Sequence, residues 1–186
     1  EGFDIVPHGI KWGTECITSK YPNFRFQLVD IRNREYNPEG HITAAKYKFP
    51  YADDSFDFVF LTSVFTHMMP SEVDNFLSEV SRVLKPGRRC LITWFLLNSE
   101  SKKLIKKGRS VLDFQYPVEG CLTANELIPE EAIAYEEDRV KGLYVDKNLA
   151  LERPVQYGSW CGRAEYLSVQ DICIAQKREV KGREPR

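Results

Sequence analysis

Apolar residues along this chain gather in two rhythms. Residues 2–5, 24–30 (FRFQLVD), 56–61 (FDFVFL) and 90–97 (CLITWFLL) are short runs rich in β-branched and aromatic side chains, and they read as strands. The run over 56–61 is nearly continuous, which predicts a strand buried on both faces. After it, Val73, Phe76, Leu77, Val80, Val83 and Leu84 recur at helical spacing and predict an amphipathic helix. Ser71 is its expected N-cap, with Asp74 three residues on, and Lys85-Pro86-Gly87 is its expected stop. Residues 10–21 read as an earlier helix closed by Pro22. Residues 33–48 read as a long polar loop around a Pro38–Gly40 turn. Residues 98–129 read as a helix followed by irregular chain, and 130–145 as another helix. Residues 149–160 and 167–176 read as a closing pair of strands. This order predicts an α/β fold with a mainly parallel sheet. With no internal repeat and no linker, one domain is expected over residues 1–176, followed by a polar tail over 177–186.

Composition narrows the function classes. The 26 basic and 27 acidic side chains nearly cancel, which argues against general polyanion binding. Lys102, Lys103, Lys106 and Lys107 recur at helical spacing and read as a solvated helix face rather than a nucleic-acid contact. No apolar run approaches the roughly 20 residues of a membrane-spanning helix, and no signal-peptide pattern opens the sequence. Five cysteines without a CxxC pair read as reduced thiols in a cytoplasmic protein, not as a disulfide framework or zinc site. His8 and His41 lack partners at metal-ligand spacing and read as surface residues, so no metal is expected. Asp4 and Asp30 each end a strand, where a carboxylate serves either a turn or a ligand. Trp94, Phe95, Phe114, Tyr116, Tyr157 and Trp160 read as core first and as pocket walls second. Arg163 reads as a solvated arginine first and as an anion contact second.

One stretch is more specific. Residues 49–93 give FPYADDSFDFVFLTSVFTHM, a helix ending SRVLKPG, and then RRCLITWF. In order and punctuation this resembles the class I S-adenosylmethionine-dependent methyltransferases. Phe3-Asp4-Ile5 is similar to that family's second strand and residues 169–175 to its last. The resemblance implies a Rossmann-like, doubly wound, mainly parallel sheet with an antiparallel C-terminal strand. It implies S-adenosylmethionine as cofactor, with Asp4 on the ribose, Ile5 on the adenine face, Asp30 and the Ile31 backbone on the adenine edge, and Ser63 near the methionine part. His67, just past the fourth strand, becomes the candidate general base, and a small-molecule oxygen or nitrogen the acceptor. Acceptor choice is expected in the variable region 99–130.

The same resemblance predicts a gap. The family's first strand ends in a glycine-rich loop and lies between its second and fourth strands, yet no Gly-x-Gly occurs here. Glu1-Gly2-Phe3-Asp4-Ile5-Val6 reads as the end of a buried strand, so the first strand and helix are expected to be missing. Two strand edges are then expected to stand unpaired, to be completed by an absent N-terminal segment, another chain or an exchanged homo-oligomer. Two functional readings stay open: an active methyltransferase, or an inactive remnant kept for oligomerisation or partner binding. A nicotinamide oxidoreductase is a weaker third, because the strand over 56–61 and the Lys-Pro-Gly pattern do not belong to it.

Overall fold

A computed structural model describes residues 1–179. In chain order the elements are β1 (Gly2–Asp4), α1 (Pro7–Gly13), β2 (Phe26–Leu28), β3 (Phe56–Leu61), α2 (Pro70–Val83), β4 (Leu84–Trp94), β5 (Leu96–Leu97) and α3 (Ser99–Lys106). They continue with β6 (Tyr116–Val118), β7 (Cys121–Thr123), β8 (Ile133–Glu136), α4 (Glu137–Asp146), β9 (Leu149–Leu151) and β10 (Asp171–Lys177). β1 and β2 form a parallel pair of their own. A second sheet has the order β3-β4-β10-β9, and a third β5-β8-β7-β6. β3 runs parallel to β4, while β10 is antiparallel to both β4 and β9, so the expected α/β architecture with an antiparallel C-terminal strand is present.

Several elements differ from the sequence-based expectation. α2 starts at Pro70, whose fixed φ suits the first helical position, and the Glu72 carboxylate reaches back to accept from the Met69 N–H at 2.8 Å. Ser71 is therefore inside the helix. Lys85-Pro86-Gly87 ends the helix but also lies within β4, where the register to β3 shifts between Phe56 and Phe58. The first helix begins earlier, at Pro7, and continues as a π-helical turn over Thr14–Thr18. Residues 133–136 form a strand rather than the start of a helix, because they lie between Leu96–Leu97 and Leu122–Thr123. Only Leu149–Leu151 of the segment 149–160 is a strand. Lys177 belongs to β10, and the rest of the expected tail from residue 180 lies outside the described residues.

The larger core packs α2 against β4 through the fully buried Leu77, Val80, Leu84 and Ile92. Trp94 is its centre, with Phe65, Tyr135 and Tyr144 edge-on at 4.8, 5.4 and 6.2 Å. A smaller cluster forms around Phe95, Phe114 and Trp160. These aromatics are core, and only Tyr116 of the six is substantially exposed. Of the five free thiols four are buried, and burial pushes Cys90 up to about 12 and Cys121 up to about 11. The lysines of α3 are exposed, as expected of a solvated face.

Two polar knots fix the layers. Asp171, fully buried at the start of β10, accepts from Leu96 N at 2.7 Å, Gly158 N at 2.7 Å, Trp160 Nε1 at 2.8 Å and Arg163 Nη1 at 3.2 Å. Burial pushes its carboxyl up, against the pull of these donors. Arg163 is thus a buried strut and not a solvated side chain: it also pairs with Glu100 at 2.8 Å and lies over the Tyr157 ring. Gly158 is required here, since a Cβ would meet Val169 O at 2.2 Å. In the second knot Arg82 donates to Phe49 O, Tyr51 O, Asp53 and Glu79, and Phe49 N donates to Glu79 Oε2 at 2.7 Å. This ties the approach to β3 onto α2.

Replacing Asp171 with Ala should strand the buried Arg163 charge and the donors around it, at a cost of about 3–5 kcal/mol, readable as a fall in urea midpoint. The second knot carries a pH signature. Burial raises the Glu79 carboxyl, but the bonds from Arg82 and Phe49 N outweigh it and hold the group below its usual 4.5. A lowered folded value means stability that is complete above pH 4.5 and is lost as pH falls through the folded value. Denaturation series between about pH 6 and about pH 3 should therefore show wild type converging on Glu79→Gln at the acid end, from a lead of about 1–2 kcal/mol.

Candidate functional site

Among the described residues β1 and β3 each have a single strand partner, and both line one cleft of about 740 Å³. Its walls are largely apolar. Phe58 and Phe60 stack on each other with ring centroids 6.3 Å apart, and with Trp12 of α1 they stand 51%, 66% and 55% exposed. The expectation that β3 is buried on both faces is therefore wrong. Among the described residues only β4 pairs with it, and the face bearing these phenylalanines opens into the cleft.

Polar groups collect where β1 and β3 end, at the carboxyl edge where open α/β sheets hold ligands. Asp4 is exposed. Its Oδ1 accepts from Val6 N at 2.9 Å, and Oδ2 has no partner among the described residues. Ile5 and the buried Ile31 line the wall beside it. Ser63 follows β3 with φ of 54°, a left-handed conformation fixed from two sides. Its N–H donates to Thr93 Oγ1 at 2.8 Å, and its Oγ accepts from Gln170 at 2.8 Å. His67 lies in a short 3₁₀ turn four residues on and also lines the cleft. Its Nδ1 is 3.0 Å from the Glu130 carbonyl oxygen.

Asp4, Ile5, Ile31, Ser63 and His67 are thus brought to one cleft. Asp30 is not among the cleft residues. Its carboxylate is held by the His41 ring at 2.7 Å, and that bond keeps the carboxyl below its usual range. Sequence reasoning missed Asn33 and Tyr36, both of which line the cleft beside His67. The available signal was turn chemistry: the Asn33 Oδ1 accepts from both Glu35 N and Tyr36 N at 3.0 Å. Glu72 also lines the cleft, and burial pushes its carboxyl up. Among the described residues no group of three or more His, Cys, Asp or Glu could hold a metal, and no helix is long and apolar enough to cross a membrane.

Comparison with known proteins points the same way. Residues 4–92 match the family model described as a methyltransferase domain. A solved S-adenosylmethionine-dependent methyltransferase from Methanosarcina mazei is 22% identical with a TM-score of 0.59, over 95% of this chain and 81% of that one. The 1,6-didemethyltoxoflavin-N1-methyltransferase of Burkholderia thailandensis, solved with S-adenosylhomocysteine, is 12% identical with a TM-score of 0.54, over 95% of this chain and 60% of that one. Geranyl diphosphate C-methyltransferase from Streptomyces coelicolor is 10% identical with a TM-score of 0.55, over 95% and 61%.

The family's cofactor is S-adenosylmethionine, and the residues present suit its nucleoside half. A carboxylate with an uncommitted oxygen can accept from vicinal ribose hydroxyls, and Ile5 and Ile31 offer an apolar wall to a flat base. The volume lies in the range of about 300–1,000 Å³ usual for small-molecule sites. The fit stops at the amino-acid half, for which the sequence has no glycine-rich loop. The sequence match over residues 4–92, just under half of the chain, and the shared architecture are consistent with the class I S-adenosylmethionine-dependent methyltransferase family.

Proposed function

We propose that this chain transfers a methyl group from S-adenosylmethionine to an oxygen or nitrogen of a small-molecule acceptor. The observation that carries the reading is the cleft itself, with the free Asp4 oxygen and the His67 imidazole both on it. When bound, the cofactor supplies a methyl group on a positively charged sulfur, so positioning is the main demand on the protein. Asp4 would hold the ribose through Oδ2. Ile5 and Ile31 would enclose the base. Asp30, committed to His41, is assigned to shaping the neighbouring loop rather than to the ligand. His67 would take the proton that an acceptor hydroxyl or amine must lose, through the ring nitrogen not bonded to Glu130. That requirement favours oxygen and nitrogen acceptors. Residues 99–130, which include α3 and the β6–β7 hairpin, are proposed to set acceptor choice.

Calorimetric titration of the 186-residue chain with S-adenosylhomocysteine tests the cofactor half. Saturable binding is expected, weakened about 10- to 100-fold by Asp4→Ala, the loss of hydrogen bonds to a charged acceptor. A folded wild-type chain that takes up no S-adenosylhomocysteine would sink the enzyme reading and leave the non-catalytic one. His67→Gln, on the acceptor side, should leave this affinity unchanged while Asp4→Ala lowers it.

A further inference from the structure

The polar loop 31–42 reaches the candidate base by three separate attachments, all from one four-residue turn. Asn33 is buried, at 8% exposure, and its Nδ2 donates to the main-chain oxygen of His67 at 2.8 Å. Tyr36 sets its ring edge-on against the imidazole, with centroids 5.1 Å apart and planes at 83°. Arg34 lies 3.6 Å from Glu130, the residue whose carbonyl oxygen holds His67 Nδ1. The turn thus grips the backbone of the histidine, the face of its ring and the residue that anchors the ring. It is itself closed by the Asn33 Oδ1 accepting from Glu35 N and Tyr36 N, so one side chain both shapes the turn and docks it. Gly40 lets the loop fold back tightly, since a Cβ there would meet Arg32 N at 2.6 Å.

This arrangement fixes a proton. A carbonyl oxygen only accepts, so the imidazole nitrogen bonded to Glu130 must carry the hydrogen in the neutral ring. We propose that the turn Asn33–Tyr36 is a clamp that holds neutral His67 in its Nδ1–H tautomer, leaving Nε2 as the basic nitrogen at the cleft. The proposal rests on the reading of His67 as the base and makes Asn33 and Tyr36 positioning residues for it. Neither needs to touch substrate. Their work is to keep the ring in the one orientation that preserves the Glu130 bond, because a ring free to turn would reach the other tautomer as easily.

The test is spectroscopic and needs neither cofactor nor acceptor. Long-range proton–nitrogen spectra of the full chain labelled with ¹⁵N-histidine, taken at a pH where the rings are neutral, report the tautomer of each of the three histidines. His67→Gln identifies its signal. The expected result is a dominant Nδ1–H form for His67. Asn33→Asp keeps the oxygen that closes the turn but replaces the donor to His67 with an anionic oxygen, and Tyr36→Ala removes the brace. Each should lower the Nδ1–H to Nε2–H ratio by roughly fivefold, the effect of weakening one hydrogen bond, while Tyr36→Phe keeps the ring and leaves the ratio in place. Variants are compared at urea concentrations where all remain folded. A wild-type His67 found mainly as Nε2–H, or a ratio unmoved by both Asn33→Asp and Tyr36→Ala, overturns the clamp. Because S-adenosylhomocysteine binding is measured separately, failure of the clamp and failure of the methyltransferase reading give different patterns.

Discussion

The Asp171 carboxylate is where the β3-β4-β10-β9 sheet is joined to the β5-β8-β7-β6 sheet. It sits at the first residue of β10, and its oxygens accept from the backbone of β5, from the backbone and indole of the Gly158–Trp160 turn, and from the Arg163 guanidinium. A buried anion is costly unless its lone pairs are filled, and here the donors come from segments far apart in sequence. The group therefore acts less as an adhesive than as a register pin. It specifies where β4 gives way to β5 and hence where the larger sheet hands over to the smaller one. The position of Thr93 follows from this, and with it the Thr93 hydroxyl that fixes Ser63 at the mouth of the cleft.

From that pin outward the structure becomes less closed. Among the described residues β4 is paired on both sides, β3 on one, and β1 sits across the cleft with only β2 beside it. The core is dense around Trp94 and thins toward Phe58 and Phe60. Two strands, β1 and β3, each with a ladder on one side among the described residues, border the same apolar space. The candidate groups Asp4, Ser63 and His67 lie along this border.

Much of this was legible where the signal is local. The spacing of Val73, Phe76, Leu77, Val80 and Val83 sufficed for α2, and the run FDFVFL for β3. Burial of β3 was not legible, because it depends on what lies beside the strand rather than on the strand. β8 was lost for a related reason. Ile133–Glu136 continues a pattern that a helix would also satisfy, and its pairing with Leu122–Thr123 on one side and with Leu96–Leu97, about forty positions earlier, on the other makes it a strand. The β6–β7 hairpin had a readable turn, Glu119-Gly120, both with positive φ as a two-residue hairpin turn requires. At the site, Asp4 and His67 came from the family pattern. Asn33 and Tyr36 sit in polar chain with no periodicity, and their role comes from tertiary contacts that leave no trace in sequence spacing.

The exposed aromatic wall has a thermodynamic consequence. Phe58, Phe60 and Trp12 keep their rings largely in water while the cleft is open. Any occupant that covers them removes apolar surface from solvent, and the hydration of that surface carries a heat capacity. Filling the cleft is therefore marked by a negative heat-capacity change, and the enthalpy of occupation grows more favourable with warming. Hydrogen bonds at Asp4 would set which molecule enters; the temperature dependence of its binding would be written by the apolar surface of three aromatic rings.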